Sequence, residues 1–208
     1  MKFIYLDLGL YRATEMIWMV ESILPDLGIT DYEAHGFEAC RSYALDAEDY
    51  FRKNEKVHIH HIAIGGFNGG GKLYYAKNKL GHSIFSSKNN VSKSKFEVIV
   101  VRKFSTWVER QGIDLENSIV MMKVNIEGAE YVFFQDLIAS GLRKHVDIIS
   151  GAIDDVKKIK GYADQIEDYY KMLRDNSITC IPFTEYKPQT KETMKDILWQ
   201  KLAQTVQQ

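Results

Sequence analysis

The sequence predicts an α/β protein built on a doubly wound, mostly parallel sheet. Short apolar runs alternate with stretches of helical spacing along most of the chain, which implies parallel strands joined by helical crossovers. Residues 118–126 read as the best strand in the chain, and the 208 residues contain no long Pro- or Ser-rich linker. One domain spanning 1–208 follows from the length and from the missing linker.

The elements read in order. Residues 3–8 are a strand ending at Asp-Leu-Gly, and Met16, Ile17, Val20, Ile23 and Leu24 follow at helical spacing before Pro25. A second strand fits 32–38, then a helix through Ala44, Ala47, Tyr50 and Phe51, then a third strand at 57–64. The alternation breaks at the glycine-rich stretch 65–71, and with strands at 72–76 and 96–101 the segment 65–103 reads as an insertion or hairpin. After the strand at 118–126 come a helix at 129–138 that Gly141 ends, a strand at 146–153, a helix at 166–173 and a last strand at 178–183. Residues 191–208 form a terminal helix whose Met194, Ile197, Leu198 and Leu202 share one side, suited to this sheet or to a second copy of the chain.

Composition narrows the function. A hydrophobic share of 45% and an aromatic share of 12% can build a core without staples, and the two cysteines, Cys40 and Cys180, are too far apart in sequence for a CxxC site. The formal net charge of −1 gives no overall field for nucleic acid or an anionic membrane. No apolar run is long enough to span a bilayer and the N-terminus lacks a signal-peptide pattern, so the expected setting is cytoplasmic.

In an open α/β sheet, ligands bind beyond the carboxyl ends of the strands. Three such ends carry chemistry. Asp7-Leu8-Gly9 offers a turn where glycine permits close approach, followed by Leu10 and Tyr11. Glu38, followed by Ala39, is a carboxylate placed to accept both hydroxyls of a ribose. In the segment Lys123-Val124-Asn125-Ile126-Glu127-Gly128, alternation puts Lys123, Asn125 and Glu127 on one side. A buried Lys123 needs a partner, either a ligand or a structural carboxylate such as Glu127 or Glu130. Dinucleotide binding asks for G-x-G-x-x-G, but Tyr11 and Thr14 stand at the second and third glycine positions, and no Walker pattern occurs.

The segment KVNIEGAEYVFFQDLIASG resembles the signature of the FkbM methyltransferase family, K-I-D-V-E-G-A-E followed by an apolar helix, and LDLG and GFEA resemble the family's first two motifs. The resemblance runs in order from about residue 3 to about residue 153. It implies a Rossmann-like class I methyltransferase fold, S-adenosylmethionine as cofactor, and methyl transfer to oxygen on a sugar or other small-molecule acceptor. The departures are Leu10-Tyr11-Arg12-Ala13 where the family has A-N-x-G, Ala39 for the proline of F-E-P, and Asn125 for the aspartate of K-I-D-V-E-G. By analogy with related folds, Ala63 and Ile64 flank the adenine.

Methyl transfer to a hydroxyl needs alignment and removal of a proton. Glu127 is the first candidate base and His82, in the loop expected to overhang the site, the second; Asn125 cannot take a proton. The 65–103 insertion has five lysines and no acid between Lys72 and Phe96, which suits an anionic acceptor or a solvated loop. His58 and His60 share a strand face, but two ligands do not make a metal site, and no metal is expected. The expected partners are thus a small-molecule or glycan acceptor, with no nucleic acid and no membrane, in a monomer or homodimer. Two competing readings are a cofactor-binding module without catalysis and a nucleotide-dependent oxidoreductase.

Overall fold

Both faces of the central sheet are apolar, because alternate residues of its strands are buried in opposite directions. In the first strand, β1 (Lys2–Leu8), Ile4, Leu6 and Leu8 enter one core while Phe3 and Tyr5 enter the other. The computed structural model describes residues 2–77, 81–182 and 188–206. The other strands of this sheet are β2 (Tyr32–Phe37), β3 (Val57–His60), β7 (Ser118–Val124), β8 (Ile148–Gly151) and β9 (Ile181–Pro182). They pair in parallel in the order β3-β2-β1-β7-β8-β9.

Helices cover both faces, giving a Rossmann-like α/β architecture. On one side lie α3 (Phe104–Gln111), α4 (Glu130–Ala139) and α5 (Ile166–Asp175), whose Phe104, Trp107, Phe133, Phe134 and Tyr169 pack on Ile4, Leu6 and Val120. On the other side lie α1 (Thr14–Trp18, continued through Met19–Ile23 and Leu24–Asp26), α2 (Arg41–Phe51) and the terminal helix α6 (Pro188–Val206). Met194 and Leu198 of α6 are buried in this core, so the terminal helix packs on its own sheet. Among the described residues no helix is long and apolar enough to cross a membrane.

The segment expected to be an insertion forms a second sheet of β4 (Ala63–Ile64), β5 (Gly69–Ala76) and β6 (Val91–Arg102), in the order β4-β6-β5. Four expectations change. The strand expected at 57–64 divides after His60, and its end pairs with β6 instead of β2. The strand expected at 72–76 starts earlier, at Gly69, because Gly69–Gly71 pair with Val101, Val100 and Ile99 of β6. The helix expected to stop before Pro25 runs on to Asp26 through a π-helical turn, in which the Leu24 N–H reaches the Met19 carbonyl. The strand expected at 178–183 is shortened to β9, and Phe183 lies outside the described residues.

Candidate functional site

β1 pairs with β2 on one side and β7 on the other, so the chain order reverses at the carboxyl end of β1. That is where a cleft should open in this architecture, and a cavity lies there. The walls include Gly9, Glu38, Asn125 and Glu127 from the strand ends, and Leu73 and His82 from the β5–β6 unit. Ala39, Tyr11, Ala63 and Ile64 also line it.

The turn after β1 follows a glycine-loop path with only one glycine. Gly9, Tyr11 and Ala13 all have positive φ, at 87°, 50° and 58°. For the two residues with a Cβ, this conformation costs about 1–2 kcal/mol each. Gly9 itself admits no side chain, since a Cβ there would lie 1.9 Å from the Asn125 carbonyl oxygen. The Asn125 N–H donates to the Leu8 carbonyl at 2.9 Å, which clamps the ends of β1 and β7 together.

Glu38 closes the other side of this turn. Its carboxylate accepts the main-chain N–H of Tyr11 at 2.7 Å and that of Cys40 at 2.7 Å. Each oxygen keeps a further acceptor site for a ligand hydroxyl. Burial raises its pKa, against the opposing effect of those two donors.

Three residues expected in the site stand behind its wall. The strand β7 stops at Val124, so the alternation drawn through Glu127 does not hold. Lys123 is 1% exposed, pairs with Asp7 at 3.0 Å and donates to the Gly9 carbonyl at 2.5 Å. Asp7↔Lys123 is the register pair of β1 and β7, which makes Lys123 a brace for the turn with Asp7 as a carboxylate partner. Burial raises the Asp7 pKa to about 7, with Lys123 opposing. Leu10 turns into the core, its methyl carbons 3.0 Å from where a Cβ of Gly36 would lie.

Glu127 lines the cavity from a left-handed backbone conformation (φ 57°) and is held from behind. Lys88, whose side chain is 0% exposed, reaches in from the β5–β6 connection to pair with Glu127 and, at 2.9 Å, with Asp155. The hydroxyl of Ser83 donates to the Glu127 carbonyl at 2.7 Å. Burial and the contact with Asp155 raise the Glu127 pKa to about 7, with Lys88 opposing. Burial acts to raise Asp155 too, but the hydrogen bond with Glu127 and the ammonium of Lys88 hold it at about 2.

His82 faces the cavity in a form unsuited to the role of base. The Ala76 main-chain N–H donates to its Nδ1 at 3.0 Å, so the ring proton sits on Nε2. Burial lowers the His82 pKa and favours this neutral ring. At the cavity it is therefore a hydrogen-bond donor.

The histidines of β3 belong to a separate cluster. His60 packs on Phe37 and Trp107, with ring centroids 5.0 and 5.1 Å away, and its Nε2 lies 3.2 Å from Nδ1 of the buried His35. His58 is exposed, whereas His60 is only partly so. Among the described residues no group of three metal-ligating side chains has the geometry to hold a metal ion.

Comparison with family models, curated proteins and solved structures finds no match. The reading of the site therefore rests on its own chemistry. Lys88 and Asp155 escaped sequence reasoning because they lie 39 residues before and 28 residues after Glu127 and bear no motif. The one available signal was a lysine and an aspartate in the two segments flanking an acidic strand end.

Proposed function

We propose that the protein is an S-adenosylmethionine-dependent methyltransferase acting on a hydroxyl of a small-molecule or glycan acceptor. The observation that carries this reading is the charge of the cleft at the switch point. Among its described lining residues the charged side chains are Glu38 and Glu127, with no lysine or arginine. A pyrophosphate would meet two carboxylates, no cation, and a tyrosine where a dinucleotide site needs glycine. An adenosine carrying a positive sulfur meets none of these obstacles.

In this reading the residues divide as follows. Glu38 accepts the ribose hydroxyls next to Gly9, and Ala63 and Ile64 give the adenine an apolar wall. Asn125, with its main chain against Gly9, shapes the floor. When bound, S-adenosylmethionine supplies an electrophilic methyl group on a sulfonium. Glu127, with a pKa of about 7, is matched to accept a hydroxyl proton near neutral pH, and His82 donates a hydrogen bond to the acceptor.

Titration calorimetry with S-adenosylmethionine, S-adenosylhomocysteine and NAD tests the assignment. Binding of the two adenosyl ligands without NAD is expected; NAD binding with neither of the others would refute it. Asn125 at a position where the resembling family has a carboxylate favours a second reading, a cofactor-binding module without turnover. Turnover on a panel of sugar and small-molecule hydroxyls separates the two.

A further inference from the structure

The group of Lys88, Glu127 and Asp155 has one ammonium for two carboxylates. Lys88 is fully buried between them. Asp155 has a second cation, Lys158, at 2.7 Å on the solvent side. Among the described residues Glu127 has no such second cation within hydrogen-bonding distance, and it is the carboxylate that opens to the cavity. The groups around it are Lys88, Gly81 and His82 from the β5–β6 connection, Asp155 and Lys158 from the segment after β8, and Glu130 from the first turn of α4. Glu38 stands in the same cavity and adds a like charge. A cation entering the cleft completes the neutralisation that Lys88 supplies only in part.

We propose that Glu127 is the counter-ion of the cofactor's sulfonium as well as the acceptor of the substrate proton, and that cofactor binding is what leaves it ionised. This rests on the methyltransferase reading and adds a role to one residue of it. The charge balance of the reaction fits. The S–CH₃ bond breaks with its electron pair returning to sulfur, an O–CH₃ bond forms, and the hydroxyl proton passes to Glu127. Cation and anion disappear in the same event, so the site holds no uncompensated charge before or after transfer. S-adenosylhomocysteine, with a neutral sulfur, has no call on an ionised Glu127. The raised pKa of Glu127, about 7, sets the size of the effect: near pH 7 about half of the molecules carry a proton there before the cofactor binds.

The test measures protons released on binding, by calorimetry near pH 7 in buffers of different ionisation enthalpy. Wild-type protein should release about half a proton more with S-adenosylmethionine than with S-adenosylhomocysteine. Glu127→Gln should abolish that difference and weaken S-adenosylmethionine about tenfold while leaving S-adenosylhomocysteine nearly unchanged. Lys88→Met, which removes the existing counter-ion, should raise the release toward one proton. Equal release with the two ligands in wild-type protein overturns the proposal without any variant having to fold. Failure of both ligands to bind overturns the methyltransferase reading itself, and this inference with it.

Discussion

The carboxylate of Glu38, at the end of β2, accepts the main-chain N–H of Tyr11 in the turn after β1 at 2.7 Å. The same group that would grip a ribose therefore also shapes the loop beneath it. Removing it should have two separable effects. Glu38→Ala is expected to weaken S-adenosylmethionine binding by about 1.5–3 kcal/mol, the usual size of a hydrogen bond to a charged group. It should also lower the melting temperature, because the N–H groups of Tyr11 and Cys40 lose their acceptor. Unchanged affinity in a folded Glu38→Ala protein would remove Glu38 from the site.

Gly9→Ala should fail in the fold before it fails in function. The added Cβ overlaps the Asn125 carbonyl at 1.9 Å, and the backbone there has φ 87°. A loss of about 3 kcal/mol is expected, since both the overlap and the conformation contribute. For a chain of this size that is a fall of roughly 6–12 °C in melting temperature. A thermal scan showing no change would mean that the ends of β1 and β7 are not clamped as described.

Glu130 predicts a loss of stability on the alkaline side. It is fully buried, and neither carboxylate oxygen has a hydrogen-bond partner among the described residues. Burial raises its pKa from 4.5 to about 8. A carboxyl raised on folding contributes stability that is complete below its unfolded pKa and is lost as pH climbs through the folded value. The contribution of Glu130 to the unfolding free energy should thus decline from about pH 5 to pH 8, and Glu130→Gln should remove that contribution. Urea titrations at several pH values read both slopes; parallel curves for the two proteins would contradict the assignment.

His35 and His60 predict the opposite limb. Burial lowers their pKa values from 6.5 to about 3 and about 4, respectively. Both stay neutral when folded but take up protons when unfolded, so their contribution to stability falls as pH drops below about 6.5 and keeps falling toward pH 4. His60→Leu, which keeps the contacts with Phe37 and Trp107 apolar, should reduce this acid loss. Urea titrations at pH 7 and pH 5 check it: an acid loss as large in the variant as in wild type would show that His60 is not titrating as described.

Much of this molecule follows from its sequence alone. The apolar run at residues 3–8, the strand pattern at 118–126, and helical spacing at Met16, Ile17, Val20, Ile23 and Leu24 are local properties that translate directly into strand and helix. The turn at Gly9 and the carboxylate at Glu38 are likewise legible, because strand ends in a parallel sheet converge on one rim. What only the tertiary structure decided is which charged groups meet. Lys123 finds Asp7 through the register of β1 and β7, and Lys88 finds Glu127 and Asp155 because the β5–β6 unit folds back over the strand ends. Opposite charges attract without regard to sequence separation, so the choice among many possible partners is made by the packing of the sheets and not by any spacing along the chain.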